Sequence, residues 1–167
     1  EDSGRHVVHE LERYLNSLGT IAAMAGKRYF TEGTGSDPLE LYEIGGVKVG
    51  VSVCEDIWST EPTALARQAG TQLLLNLNAS PFHTGKAPER EELVQQRARE
   101  NGFPILYANL VGGQDELVFD GGSFVVDAQG ELTQRLPFYE EVMEPVEVVL
   151  HENPEPLPRQ IMPHLSE

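Results

Sequence analysis

The 167-residue chain holds a single cysteine, Cys54, and so forms no internal disulfide. That scarcity points to a reducing, cytoplasmic setting and leaves stability to an apolar core, which a chain of this length can build. Long apolar runs are lacking too. None approaches the roughly 20 residues of a membrane span, so no membrane association is expected. Residues 1–10 do not form a basic region followed by an apolar one, so no secretory leader is read there. Positive charge is scarce: 12 Lys and Arg stand against 27 Asp and Glu, a formal net charge of −15. Such a surface repels phosphate backbones and excludes nucleic acid as an expected partner. No His/Cys cluster has metal-ligand spacing, so no metal site is expected.

What is present reads as a one-domain α/β chain. Residues 5–18 carry Val7, Val8, Leu11, Tyr14, Leu15 and Leu18 at helical spacing, with Gly19 as a stop. Two strand-like runs flank Gly45-Gly46, the signature of a tight β-hairpin. The second run alternates Val47, Val49, Val51 and Val53 on one face with Lys48, Gly50 and Ser52 on the other, and Cys54 continues the second set. A helix over 59–70, a buried strand over 71–78, a loop over 79–88, a helix over 88–102 and a buried strand over 103–111 follow. Residues 112–122 read as a Gly-bracketed loop, 123–136 as a hairpin turning near Ala128–Gly130, and 145–150 as a last strand. The Pro-rich segment 151–167 reads as a tail or linker. From Leu39 to Leu150 the predicted order is ββαβαββββ.

In open α/β sheets, ligands lie beyond the carboxyl ends of the strands. Parallel pairing of the three apolar strands would gather their following loops on one edge. That edge would carry Cys54, Glu55, Asp56, Ser80, His83, Lys86, Gln114, Asp115 and Glu116. A lone cysteine is usually a small buried hydrophobe. This one ends a strand and is followed at once by two acids, which inert core positions rarely border. A nucleophilic thiol also needs a base and oxyanion donors. His83 is a candidate base, although a single loop histidine is more often plain surface, and no Asp or Asn is tied to it by spacing. "HTGK" resembles part of a phosphate loop but lacks the leading glycine and the Ser or Thr after the lysine, so no nucleotide site is read there.

The segments "RYFTEG", "VGVSVCEDIW", "LNLNASPFHTGK" and "RARENGFPILYANLVGGQDELVFDGGSFVVDAQGEL" resemble the nitrilase (carbon–nitrogen hydrolase) superfamily. Within it they resemble the glutamine-hydrolysing domains of glutamine-dependent NAD synthetases, over about residues 28–141. The resemblance implies part of an αββα sandwich and a cysteine amidase that releases ammonia from L-glutamine for NAD synthesis. It implies Cys54 as nucleophile, Glu55 as the residue whose backbone N–H meets the oxyanion, and Ser80 and Lys86 as holders of the glutamine head. No cofactor is implied for this portion; ATP and Mg belong to the family's synthetase domain. Implied partners are that domain or other subunits, and homo-oligomerisation.

The departures from the family pattern matter as much. The family pairs its cysteine with a general-base Glu and an oxyanion-supporting Lys. Nothing in residues 1–27 resembles the Glu motif, and Lys27 falls in the variable position directly before Arg28-Tyr29-Phe30 rather than in the Lys motif. Three regions are therefore expected: 1–27 without family match, 28–150 as the later portion of an amidase domain, and 151–167 as tail. The expectation is an amidase portion impaired as this chain, lacking most of the N-terminal half of the family fold. The competing readings are a non-catalytic binding or oligomerisation module of the same fold, and a stand-alone amidase.

Overall fold

The computed structural model describes residues 41–150. The helix read over 5–18, the "RYFTEG" segment, the start of the first strand at 39–40 and the Pro-rich tail lie outside the described residues.

The chain opens on β1 (Tyr42–Ile44), turns at Gly45-Gly46 and returns as β2 (Val47–Val53). Both turn glycines have positive φ, 58° and 83°, the geometry a two-residue hairpin with right-handed strand twist demands. A 3-10 helix, Cys54–Trp58, leads into α1 (Thr60–Ala69), which Gly70 ends in the left-handed conformation. Then come β3 (Leu73–Asn78), α2 (Lys86–Asn101), β4 (Ile105–Asn109), β5 (Val111–Gln114), β6 (Leu117–Asp120), β7 (Phe124–Val126) and β8 (Leu132–Arg135).

The main sheet has the order β1-β2-β3-β4-β7-β8, and β2, β3 and β4 are parallel. Two successive crossovers in the same direction set α1 and α2 on one face. The core lies between: Ala66, Val94 and Ala98 of the helices and Ile57 pack on Leu74, Ile105, Tyr107, Phe124 and Val126 of the sheet. The opposite face is also apolar. There Val51 pairs with Leu75, Leu75 with Leu106 and Leu106 with Val125. Val51 and Val125 are buried, whereas Leu75 and Leu106 are half-buried. β5 and β6 form a separate two-stranded ribbon.

The structure departs from the sequence reading at four places. Residues 112–122 are largely strand, because Leu117, Val118 and Phe119 ladder onto Gln114, Gly113 and Gly112, with Asp115 supplying the positive φ (52°) at the tip. α2 starts at Lys86 rather than near Pro88, because Gly85 turns at φ 83° and the Lys86 N–H donates to the His83 carbonyl. Residues 145–150 form no strand: β propensity needs a partner, and Val149 stands 74% exposed. Finally, the strand alternation ends at Val53. Cys54 has φ 48°, so it does not continue the face of Gly50 and Ser52 in extended geometry.

Candidate active site

Parallel pairing brings the carboxyl ends of β2, β3 and β4 together, and the residues following them gather at one edge. Cys54 is the first residue after β2 and is half-buried. Its left-handed φ is rare for a residue with a Cβ and is held by its surroundings. The turn is closed by Asp56, whose Oδ2 accepts the Val53 N–H at 2.8 Å. Burial raises the Asp56 pKa and that N–H lowers it, burial being the larger effect. Arg97 of α2 fastens the other end of the 3-10 helix: its Nε donates to the Ile57 carbonyl and its Nη2 to the Trp58 carbonyl, each at 3.0 Å.

The thiol is held above its ordinary pKa. Burial is the main cause, and the charges of Glu55 and Asp56 add to it. The adjacent Glu55 backbone N–H and the Arg90 guanidinium act in the opposite sense. The group is therefore a protonated thiol near neutrality, and nucleophilic use needs a base to take the proton.

Ser80 is buried and locked by its backbone. Its N–H donates to Asn109 Oδ1 at 3.0 Å and its carbonyl accepts from Arg90 Nη2 at 3.1 Å. Arg90 also donates to the Pro81 carbonyl at 2.8 Å and pairs with Asp120 at 2.8 Å, both side chains being 3% exposed. Asn109 Nδ2 reaches the Gly121 carbonyl at 3.0 Å, tying β4 to the end of the ribbon. Lys86 sits over the Trp58 ring, 3.7 Å from its centre, and pairs with Glu89 at 3.1 Å. This links the start of α2 to the helix that begins at Cys54.

Arg90 thus fixes the Ser80 loop by hydrogen bonds and acts on the Cys54 thiol through its charge, and Lys86 joins the same edge through Trp58. His83 is exposed, with Nδ1 2.9 Å from the Thr84 carbonyl, a local contact rather than one to the thiol. Gln114, Asp115 and Glu116 are exposed at the ribbon tip. Tyr107, in the middle of β4, is buried and its pKa is pushed up to about 12, mainly by burial, with Arg90, Ser80, Cys54 and Asp120 as its other influences. Sequence reasoning missed Arg90, Arg97 and Tyr107. The available signal was spacing: Arg90, Val94, Arg97, Ala98 and Asn101 form one helical stripe, and all are buried. Among the described residues no group of three or more His, Cys, Asp or Glu is placed to hold a metal ion. No described helix is long and apolar enough to cross a membrane.

Fold and site together define an α/β protein whose sheet edge presents one thiol beside a backbone N–H. The carbon-nitrogen hydrolase family model matches residues 18–150, and the chain belongs to that family, the nitrilase superfamily. Among curated relatives, the glutamine-dependent NAD(+) synthetase of Thermotoga maritima is 44% identical over 139 residues, 82% of this chain and 24% of the relative. Among solved structures, the glutamine-dependent NAD+ synthetase of Acinetobacter baumannii superposes with a TM-score of 0.66 at 37% identity, over 72% of this chain and 22% of that one. A glutamate-to-glutamine mutant of an amidase from Nesterenkonia sp. AN1, solved with the acetamide moiety of fluoroacetamide added covalently at its active-site cysteine, gives 0.56 at 32% identity over 67% of this chain and 41% of that one. The chain spans about a quarter of the length of the NAD(+) synthetases it matches.

Proposed function

We propose that this chain carries the cysteine portion of a glutamine amidase that supplies ammonia for NAD synthesis. The observation behind the reading is Cys54 itself: a half-buried thiol on a left-handed turn at the carboxyl end of a parallel strand, with the Glu55 N–H at its sulfur. In this reading Sγ bonds to the carboxamide carbon of glutamine. The thiol proton goes by way of a base to the leaving nitrogen, and ammonia departs. Water then adds to the thioester, the C–S bond breaks, and glutamate and the thiol are regenerated. The Glu55 N–H donates to the tetrahedral oxyanion, and Ser80 and Lys86 hold the amino-acid head. No cofactor takes part in this half-reaction; ATP and Mg serve the synthetase portion.

The raised thiol pKa makes the base decisive, and neither the general-base Glu nor the Lys of the family pattern has a match in this sequence. Loss of a general base costs on the order of 10²–10⁴-fold. Ammonia release by the 167-residue chain alone is therefore near background, and full activity requires another segment or subunit. The exposed apolar residues of the ribbon and its surroundings, Leu117, Val118, Phe82 and Tyr139, support docking of a synthetase domain or further copies. A cytoplasmic location belongs to the same reading.

The test is a glutamine analogue bearing a thiol-alkylating group, read by mass spectrometry alongside ammonia release. Stoichiometric label on Cys54, blocked by glutamine, is expected. A folded chain that takes no label would replace this reading with a non-catalytic module. Turnover matching intact amidases and abolished by Cys54→Ala would overturn the impairment.

A further inference from the structure

Tyr107 combines three properties that a filler of the core does not need. Its residue exposure is 2%, and its hydroxyl is buried with no hydrogen bond of good geometry among the described residues. Its ring is pinned, stacked on Phe124 with centroids 4.8 Å apart and planes 14° from parallel. Its polar surroundings are those of the cysteine site: Arg90, Ser80, Cys54 and Asp120. A buried hydroxyl without a partner is destabilising, and a phenylalanine would fill the same stacked position.

The neighbours differ in what they can take from a phenol. Arg90 is donor-only, and its Nε is itself without a partner among the described residues. Asp120 and Arg90 act on the phenol through their charges, whereas the Ser80 side chain stands within hydrogen-bonding reach of it. The Cys54 sulfur is a weak acceptor. The Ser80 hydroxyl can accept a hydrogen bond and still offer its own proton. Its backbone is fixed on both sides by Asn109 and Arg90, so rotation of the hydroxyl is its remaining freedom.

We propose that Tyr107 is a positioning residue: its phenol donates to Ser80 Oγ and so directs the Ser80 proton outward, toward the head of a bound amide substrate. This rests on the amidase reading for the identity of that substrate. The phenol remains protonated, hence a donor, throughout the neutral range.

Tyr107→Phe keeps the stacked ring and removes only the hydroxyl. With the alkylating glutamine analogue, the concentration giving half-maximal inactivation is expected to rise about tenfold, as for loss of one hydrogen bond. The limiting rate of inactivation stays within about twofold, and iodoacetamide labels Cys54 as fast as in the parent. Ser80→Ala gives the same shift, and the double variant adds nothing. An unchanged half-maximal concentration in Tyr107→Phe, or additive effects, overturns the proposal. If the parent chain takes no label from the analogue, the amidase reading falls instead. Urea unfolding of the same four proteins then tests the contact alone: a coupling of about threefold in the unfolding constant supports it, and additivity refutes it.

Discussion

Replacing Arg90 by methionine perturbs the most connected side chain of the candidate site. Arg90 and Asp120 pair at 2.8 Å with both side chains 3% exposed, and Arg90 also holds the Ser80 and Pro81 carbonyls. Methionine fills a similar volume but leaves the Asp120 carboxylate buried, with the long 3.4 Å contact from Asn109 to its Oδ1 as its remaining side-chain partner among the described residues. Removing one member of a buried pair costs about 3–5 kcal/mol, and the two released carbonyls belong to the same loss. A domain of this size has about 5–15 kcal/mol in all, so Arg90→Met should bring the chain close to unfolding at 37 °C. Asp120→Leu should cost a similar amount. The double variant should cost about as much as either single change, because it removes the unpaired charge that each leaves behind. Urea titration is readily followed by fluorescence, since Trp58 is the single tryptophan and packs against the core. A loss below about 1 kcal/mol in Arg90→Met, or strict additivity in the double variant, would refute the argument that the pair is a closed buried unit.

Three further outcomes are expected. Alkylation of Cys54 by iodoacetamide should keep accelerating as pH rises through 9.0, because the folded thiol titrates above that ordinary value. The same raised pKa stabilises the fold below the ordinary thiol value and ceases to do so at higher pH, and Glu55→Gln should move the alkylation curve to lower pH; a plateau reached below pH 8 would contradict both. Trp58→Ala should weaken labelling by the glutamine analogue about threefold through a loosened Lys86, with Trp58→Phe intermediate, as measured by titrating the analogue. Gly130→Ala should destabilise by about 2–3 kcal/mol in the same urea assay, because Gly130 has φ 82° and an added Cβ would lie 2.7 Å from the Gln95 carbonyl oxygen.

Local pattern carried the sheet as far as short-range physics acts. Gly45-Gly46 announced the first hairpin, and alternating valines announced β2. The two apolar runs with helices between them announced parallel pairing, which placed Cys54, Ser80 and Lys86 on one edge. The turn near Ala128–Gly130 was legible too, and the structure closes it locally: Asp127 Oδ1 accepts the N–H groups of Gln129 and Glu131. The arginines were not legible. A segment reading "PEREELVQQRAREN" looks like a solvated charged face, yet Arg90 is buried by a carboxylate 30 residues away and Arg97 by carbonyls some 40 residues away. Burial of a charge depends on partners that only tertiary structure supplies. The left-handed turn at Cys54 was equally hidden, because cysteine has no propensity for it and the constraint comes from Asp56 and Arg97 around it.

The two arginines share one helix, seven residues and about 10 Å apart along its axis. One grips the loop that carries Ser80, and the other grips the turn that follows Cys54. α2 is therefore a brace: it ties the two loops to one another in addition to the strands that carry them. A bend of α2 between Arg90 and Arg97 would pull the two loops against those strands. A protein pressing on the exposed flank of α2, at Glu92 or Gln96, would thus act on both loops at once.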